Sequence, residues 1–262
     1  MSTRGAAQAI TLLTDFGTAD GYVGEVKGVL CSHAPGVSII DVSHDVAAQD
    51  IDGARLAVAR YWRRFPVGTV HMVVVDPGVG STRAAIAIES DGRFLVGPDN
   101  GVLSPALFSL DAQVIALDVP PTAAPTFHGR DVFAPASARL AMGVPLHELG
   151  ERLHEPVRRR TPEPRKRPDG AVEGEVLTID RFGNAVTNLY ARADGWLEVA
   201  ATMLPVVRTY ADVAVHTHVG VVGSSGLLEV AVRDGNAAVA MHLTRGSVVV
   251  WHPTRRGGAA RP

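Results

Sequence analysis

Apolar residues are spaced in two ways along this chain. Over roughly the first 150 residues, unbroken apolar runs alternate with stretches in which apolar positions recur every three or four residues; beyond about residue 170 the helical spacing nearly vanishes. Ile10 to Thr14, Val37 to Val42 and Val70 to Val75 are runs without alternation, the pattern of strands buried on both faces of a parallel sheet. Between them, Asp20 to His33 reads as a helix stopped by Ala34-Pro35-Gly36. In Asp50 to Arg64, Ile51, Ala54, Val58 and Trp62 fall on one helical face, and Arg60, Arg63 and Arg64 suit the negative pole of that helix. The order β-α-β-α-β predicts a doubly wound parallel sheet.

The third run is the centre of this pattern. It ends at Asp76-Pro77-Gly78, with glycines at 78 and 80 and an arginine at 83 able to fold back on the acid. The first run ends similarly, at Thr14-Asp15-Phe16-Gly17, so two acids are expected on two walls of one crevice at the carboxyl ends of the strands. After Arg83 come short strands around the turn Ser90-Asp91-Gly92, then Gly97-Pro98-Asp99-Asn100-Gly101, a strand over Val114 to Val119, and Thr126 to Asp131 leading into a helix from about Val132 to Met142.

The domains expected are residues 9–155 as an α/β domain, 156–170 as an exposed linker dense in proline and arginine, 171–252 as a smaller all-β, barrel-like domain, and 253–262 as a disordered tail. In the third of these, strands are expected over Val172 to Asp180, Ala185 to Tyr190, Met203 to Val207, Leu227 to Val232 and Ser247 to Trp251.

Charge narrows the partners. Lys plus Arg number 25 against 27 Asp plus Glu, a formal net charge of -2, which does not suit a nucleic-acid or anionic-membrane partner. The basic linker has no interleaved aromatic residues, so it reads as solvated chain rather than a nucleic-acid arm. One cysteine, Cys31, excludes an internal disulfide framework, no run approaches the length of a membrane span, and Met1 to Gln8 lacks the apolar core of a signal peptide. A cytoplasmic protein acting on a small molecule is expected.

Generic motifs are missing. Gly78-Val79-Gly80 lacks the third glycine of a dinucleotide fingerprint, and there is no Walker lysine or nucleophile elbow. His216-Thr217-His218 offers two imidazoles with no third ligand nearby. What remains is a set of polar strand-end residues: Asp15, Asp20, Asp41, His44, Asp76, Arg83, Asp99, Asn100, His128 and Asp131. They allow a divalent-metal hydrolase, or a metal-free site in which an Asp, an Arg and a His hold a water while other acids grip a cationic substrate. Taken singly, each acid is equally a turn former or a helix cap.

Six blocks in order, TDFGTADGY, VVVDPGVGSTR, VGPDNGVLSP, TFHGRDVFAPASARLA, IDRFGNAVTNL and GSSGLLEVAV, resemble the S-adenosyl-L-methionine (SAM) hydroxide adenosyltransferases, relatives of the SAM-dependent chlorinases and fluorinases. The resemblance runs from about Ile10 to Trp251. It implies an amino-terminal α/β domain, a carboxy-terminal β-barrel, a homotrimer with active sites between neighbouring subunits, and hydrolysis of SAM at C5′ to adenosine and L-methionine without metal or other cofactor. By resemblance, Asp76, Arg83 and His128 match the water-activating triad. Asp15 matches a ribose contact, Asp20 and Asp180 acids near the methionine ammonium, Ser224 a methionine-carboxylate contact, and Phe182 and Asn184 adenine contacts. In this scheme Arg83, oriented by Asp76, favours hydroxide, and His128 is a candidate proton acceptor, with the choice of acceptor among the coupled triad members left open.

Halogenating relatives have a tyrosine, a threonine and a serine about where this chain has Asp76, Val79 and Gly129, an arginine at Ser225 and a tryptophan near Gln49. The halide pocket is therefore missing and the carboxylate contact is altered. The alternatives to a SAM hydrolase are a SAM-dependent halogenase, a metallophosphoesterase using Asp15, Asp76 and His128, and a non-catalytic SAM or adenosine binder.

Overall fold

The computed structural model describes residues 9–192 and 194–254. Two compact units divide between Arg160 and Thr161. The proposed tail 253–262 lies outside the described residues from Arg255 onward, as do Met1 to Gln8.

The first unit carries strands β1 (Ala9–Thr14), β2 (Ser38–Ser43), β3 (Val70–Val74), β4 (Ala85–Ser90), β5 (Arg93–Pro98), β6 (Gln113–Leu117) and β7 (Gly150–Arg152), in the sheet order β2-β1-β3-β5-β4-β6-β7. Helices α1 (Tyr22–His33) and α3 (Ala134–Ala141) cover one face, packing Val26, Leu30, Ala138 and Leu140 against Ile10, Leu12, Val70 and Met72. Helix α2 (Ile51–Tyr61) covers the other through Ala54, Val58 and, just beyond its end, Trp62. The sheet is doubly wound as expected, because β1 and β3 are buried on both faces and need helices on each side.

Two departures have local causes. The sheet is parallel only through β2, β1, β3 and β5; β4 runs against both β5 and β6. Asp91 and Gly92, with φ of 47° and 68°, form a two-residue hairpin turn whose backbone twist matches antiparallel strands. The run Val37 to Val42 is an edge strand rather than a buried one: among the described residues β2 pairs only with β1, and Ile40 is 38% exposed. An apolar run signals a strand but not its rank in the sheet.

The proline- and arginine-rich stretch is pinned at both ends. Val157 N–H donates to Asp99 Oδ1, and Arg159 donates to the carbonyl of Asn100 and to Asp52. In the second unit, Arg165 and Arg167 donate to Glu173, and Arg165–Lys166 forms a short strand, β8.

The second unit continues with β9 (Val172–Ile179), β10 (Ala185–Tyr190), β11 (Trp196–Val199), β12 (Thr202–Val207), β13 (His218–Val222), β14 (Leu227–Val232), a one-turn helix α4 (Ala237–Ala240) and β15 (Val248–His252). The order β10-β14-β13-β12-β11-β15-β9 closes on itself through β9–β10 pairing, with β8 added on β9. Leu228, Val230 and Val232 point into the barrel with Val176, Leu189, Leu197 and Val249, while Ala231 packs outside with Val219 and Val221. That period-2 alternation puts Glu229 on the outer side of β14. No helix among the described residues is long and apolar enough to cross a membrane.

Candidate active site

In the first unit, the carboxyl ends of the adjacent strands β1 and β3, paired in register up to Thr14 and Val74, deliver Asp15 and Asp76 to one edge of the sheet. Arg83 folds back as its position suggested. Its Nε donates to Asp76 Oδ1 at 2.9 Å, its Nη2 donates to Asp76 Oδ2, and the same Nη2 lies 3.0 Å from His128 Nδ1. Both charged side chains are nearly sealed, Asp76 at 5% and Arg83 at 10% exposure. The Arg83 guanidinium carbon sits 5.5 Å from the ring centre of the buried Phe133.

This geometry sets the state of His128. Arginine has only donors, so Nδ1 is the acceptor and the proton of the neutral ring is on Nε2. Burial, and after it the charge of Arg83, lowers the His128 pKa below the usual histidine value, against the opposite pull of Asp76 and Asp131. The ring therefore presents an N–H donor from Nε2. Its basic lone pair is already engaged by Arg83, which speaks against the proton-accepting role expected above.

Two features hold the cluster in place. Gly80 has φ 75°, and a Cβ there would meet the carbonyl oxygen of Pro125 at 2.5 Å, so only glycine lets the 76–83 loop lie against the segment entering His128. Beside it, Phe16, Tyr22 and Phe127 stack edge-to-face at centroid distances of 5.4–6.2 Å. A Cβ on Gly129 would come within 3.2 Å of Phe16. All three rings lie in blocks that carry the family resemblance, yet nothing in their local spacing marks them as one cluster.

Asp15 Oδ2 accepts a 2.8 Å hydrogen bond from the backbone N–H of Gln49, whose φ of 66° is left-handed. His44 steadies the same loop: its Nδ1 lies 2.8 Å from Thr14 Oγ1, its Nε2 3.1 Å from Asp41, and its carbonyl accepts from Gly17 N–H. Asp20 is exposed just before α1. Asn100 bonds the carbonyl of Val75 and the N–H of Val102, Asp99 holds Val157, and Asp131 holds Arg130 and Ala124, so these three strand-end residues serve as turn and loop anchors.

In the second unit, the β9–β10 loop gathers Asp180, Phe182 and Asn184. Asp180 Oδ1 accepts from the N–H groups of Phe182 and Asn184, and its Oδ2 from Asn184 Nδ2 at 3.0 Å. Three of the carboxylate's lone pairs are thus engaged by its own loop. Phe182 stands 75% exposed. Ser224 is exposed in the β13–β14 turn, and the neighbouring Ser225 Oγ is buried without a hydrogen-bond partner among the described residues. Two residues absent from the expected set join this group: Asn184 Nδ2 reaches Tyr210 Oη at 3.4 Å, and that hydroxyl is bonded to the buried Glu229.

Among the described residues no three of His, Cys, Asp and Glu converge as a metal-ligand set. Asp76 and His128 are instead bridged by a guanidinium, whose charge would repel a cation placed between them.

An α/β unit with a buried Asp–Arg–His cluster, followed by a closed β-barrel, defines a two-domain protein with a polar site at strand ends. The chain belongs to the SAM hydroxide adenosyltransferase family, matching its N-terminal domain over residues 10–150 and its C-terminal domain over residues 174–250. It is 43% identical to a Thermus thermophilus protein named (R)-S-adenosyl-L-methionine hydrolase over 254 residues, covering 92% of this chain and 98% of that one. A crystal structure of a Thermotoga maritima protein superposes with a TM-score of 0.85 at 32% identity, covering 92% and 98% of the two chains. A fluorinase of an Actinoplanes species is more distant, 29% identical over 69% of this chain and 71% of its own.

Proposed function

We propose that this protein hydrolyses S-adenosyl-L-methionine to adenosine and L-methionine. The observation that carries the reading is Arg83 held between the Asp76 carboxylate and His128 Nδ1, which leaves His128 Nε2–H as a fixed donor beside a buried positive charge. Such a pair stabilises hydroxide over water, so that a bound water releases one proton to solvent before the attack. Hydroxide attacks C5′ in line with the carbon–sulfur bond; its lone pair forms the C–O bond, and the C–S pair leaves with sulfur as the neutral thioether of methionine. The hydroxide proton stays on the new 5′ hydroxyl, so no residue need accept a proton in that step. Charge cancels as the bond forms, which favours a dry site.

Asp76, Arg83 and His128 are the catalytic residues in this reading. Asp15 takes the ribose hydroxyls, Asp20 and Asp180 the methionine ammonium, Ser224 the methionine carboxylate, and Phe182 and Asn184 the adenine. The protein needs no metal or other cofactor, works as a homotrimer, takes neither nucleic acid nor membrane as a partner, and acts in the cytoplasm.

The test is incubation of chelator-treated protein with SAM, following adenosine and methionine by chromatography, beside His128→Ala and Arg83→Ala. Equal amounts of the two products from wild type, lost in both variants, support the reading. Activity abolished by the chelator would point to the metallophosphoesterase, a 5′-chloro nucleoside formed with chloride to the halogenase, and tight SAM binding without turnover to the binder.

A further inference from the structure

The hydrogen bonds around Asn184 have a fixed direction. Asp180 Oδ2 can only accept here, because the same carboxylate already takes two backbone N–H groups, so the Asn184 atom facing it is the amide nitrogen. The second N–H of that nitrogen points to Tyr210 Oη, 3.4 Å away. Tyr210 in turn gives its own proton to the Glu229 carboxylate; burial and the nearby charges of Glu229 and Asp180 raise its pKa and keep the phenol protonated.

Glu229 is held firmly. It is 6% exposed, pairs in register with Val221 and Val186, and lies so close under Gly223 that a side chain there would strike its Oε1. With both amide protons consumed, Asn184 presents only Oδ1, which accepts no hydrogen bond from any described residue. A lone acceptor selects a ligand edge that donates.

We propose that Tyr210 and Glu229 are specificity-determining positioning residues that hold Asn184 as a pure acceptor, so that the site takes a purine with a 6-amino group and rejects one with a 6-oxo group. An oxo-purine would set its carbonyl oxygen against Oδ1, leaving two acceptors facing each other with no proton between them. The inference rests on the reading of this protein as one that binds an adenosyl compound.

The experiment measures adenosine and inosine binding to the full chain by calorimetry, for wild type, Tyr210→Phe and Glu229→Gln, with circular dichroism as the check on folding. Wild type should prefer adenosine by about 100-fold, the order expected where a donor is replaced by an acceptor at a buried partner. Tyr210→Phe frees one amide N–H, which can serve an oxo group, and should reduce the preference to below about tenfold. Glu229→Gln keeps the shape, leaves the phenol proton free to turn, and should fall between. Equal wild-type affinity for the two nucleosides, or an undiminished preference in both folded variants, overturns the proposal while leaving the hydrolase reading intact. No binding of SAM or adenosine by wild type overturns both.

Discussion

Arg83 Nη2 donates to His128 Nδ1 across 3.0 Å while the same guanidinium holds both oxygens of Asp76. The imidazole is thereby fixed as a donor through Nε2, and the two halves of its role can be separated by substitution.

His128→Asn keeps an acceptor near the Nδ1 position but loses the outward donor, whereas His128→Gln keeps a donor near Nε2. The Gln variant should retain more activity than Asn, whose kcat should fall by roughly 10²- to 10³-fold, the usual effect of losing one preorganised donor. Steady-state SAM turnover checks this; equal residual activity would return the proton-accepting role to His128.

Acid should inactivate the enzyme through His128. Its folded pKa is lowered, so the neutral ring persists below the ordinary value of about 6.5, and the active form is lost only as pH falls through that depressed pKa. Nδ1 is then protonated and faces Arg83 donor to donor. Side-chain NMR should place the titration below the ordinary value, rising in Arg83→Gln when the repelling charge is gone.

His71 should limit stability in acid. It is fully buried on β3, 2.8 Å from Thr11 Oγ1 and between the rings of Tyr61 and Phe65, and burial, aided by Arg93, pulls its pKa down to about 3. The unfolded chain binds this proton more readily, so the contribution is complete above about pH 6.5 and falls by about 1.4 kcal/mol per pH unit down to the folded pKa. Denaturant unfolding at pH 7 and pH 5 should show a smaller acid loss in His71→Asn than in wild type.

Gly80→Ala should cost about 1–3 kcal/mol, because φ of 75° is strained for alanine and the new Cβ meets the Pro125 carbonyl. Since the same loop joins Asp76 to Arg83, turnover should fall with melting temperature. A variant as stable as wild type would mean that the 76–83 loop moves freely off Pro125.

Much of the fold is local enough to be legible. Val70 to Val74 is buried at every position, the helical spacing of Ala54, Val58 and Trp62 is the spacing of their burial, and Asp91-Gly92 forms its turn where expected. Trp196–Val199 and His218–Val222 give no clear strand signal, because each is short and the chain around them is rich in turn residues. Leu227 to Val232 reads as a strand, but its apolar character gives no hint of a role for Glu229.

The division into an α/β half and a β half, the acids at strand ends and the family resemblance are all legible in the chain alone. Periodicity and turn chemistry are properties of neighbouring residues, and block order is a property of the chain. Tertiary structure alone decided directions and partners: that Arg83, seven residues from Asp76 and 45 from His128, donates to both, and that Tyr210 and Glu229 stand behind Asn184. A hydrogen bond's direction depends on which acceptor-only or donor-only group lies opposite, and residues far apart in sequence meet only when the sheet and the barrel close.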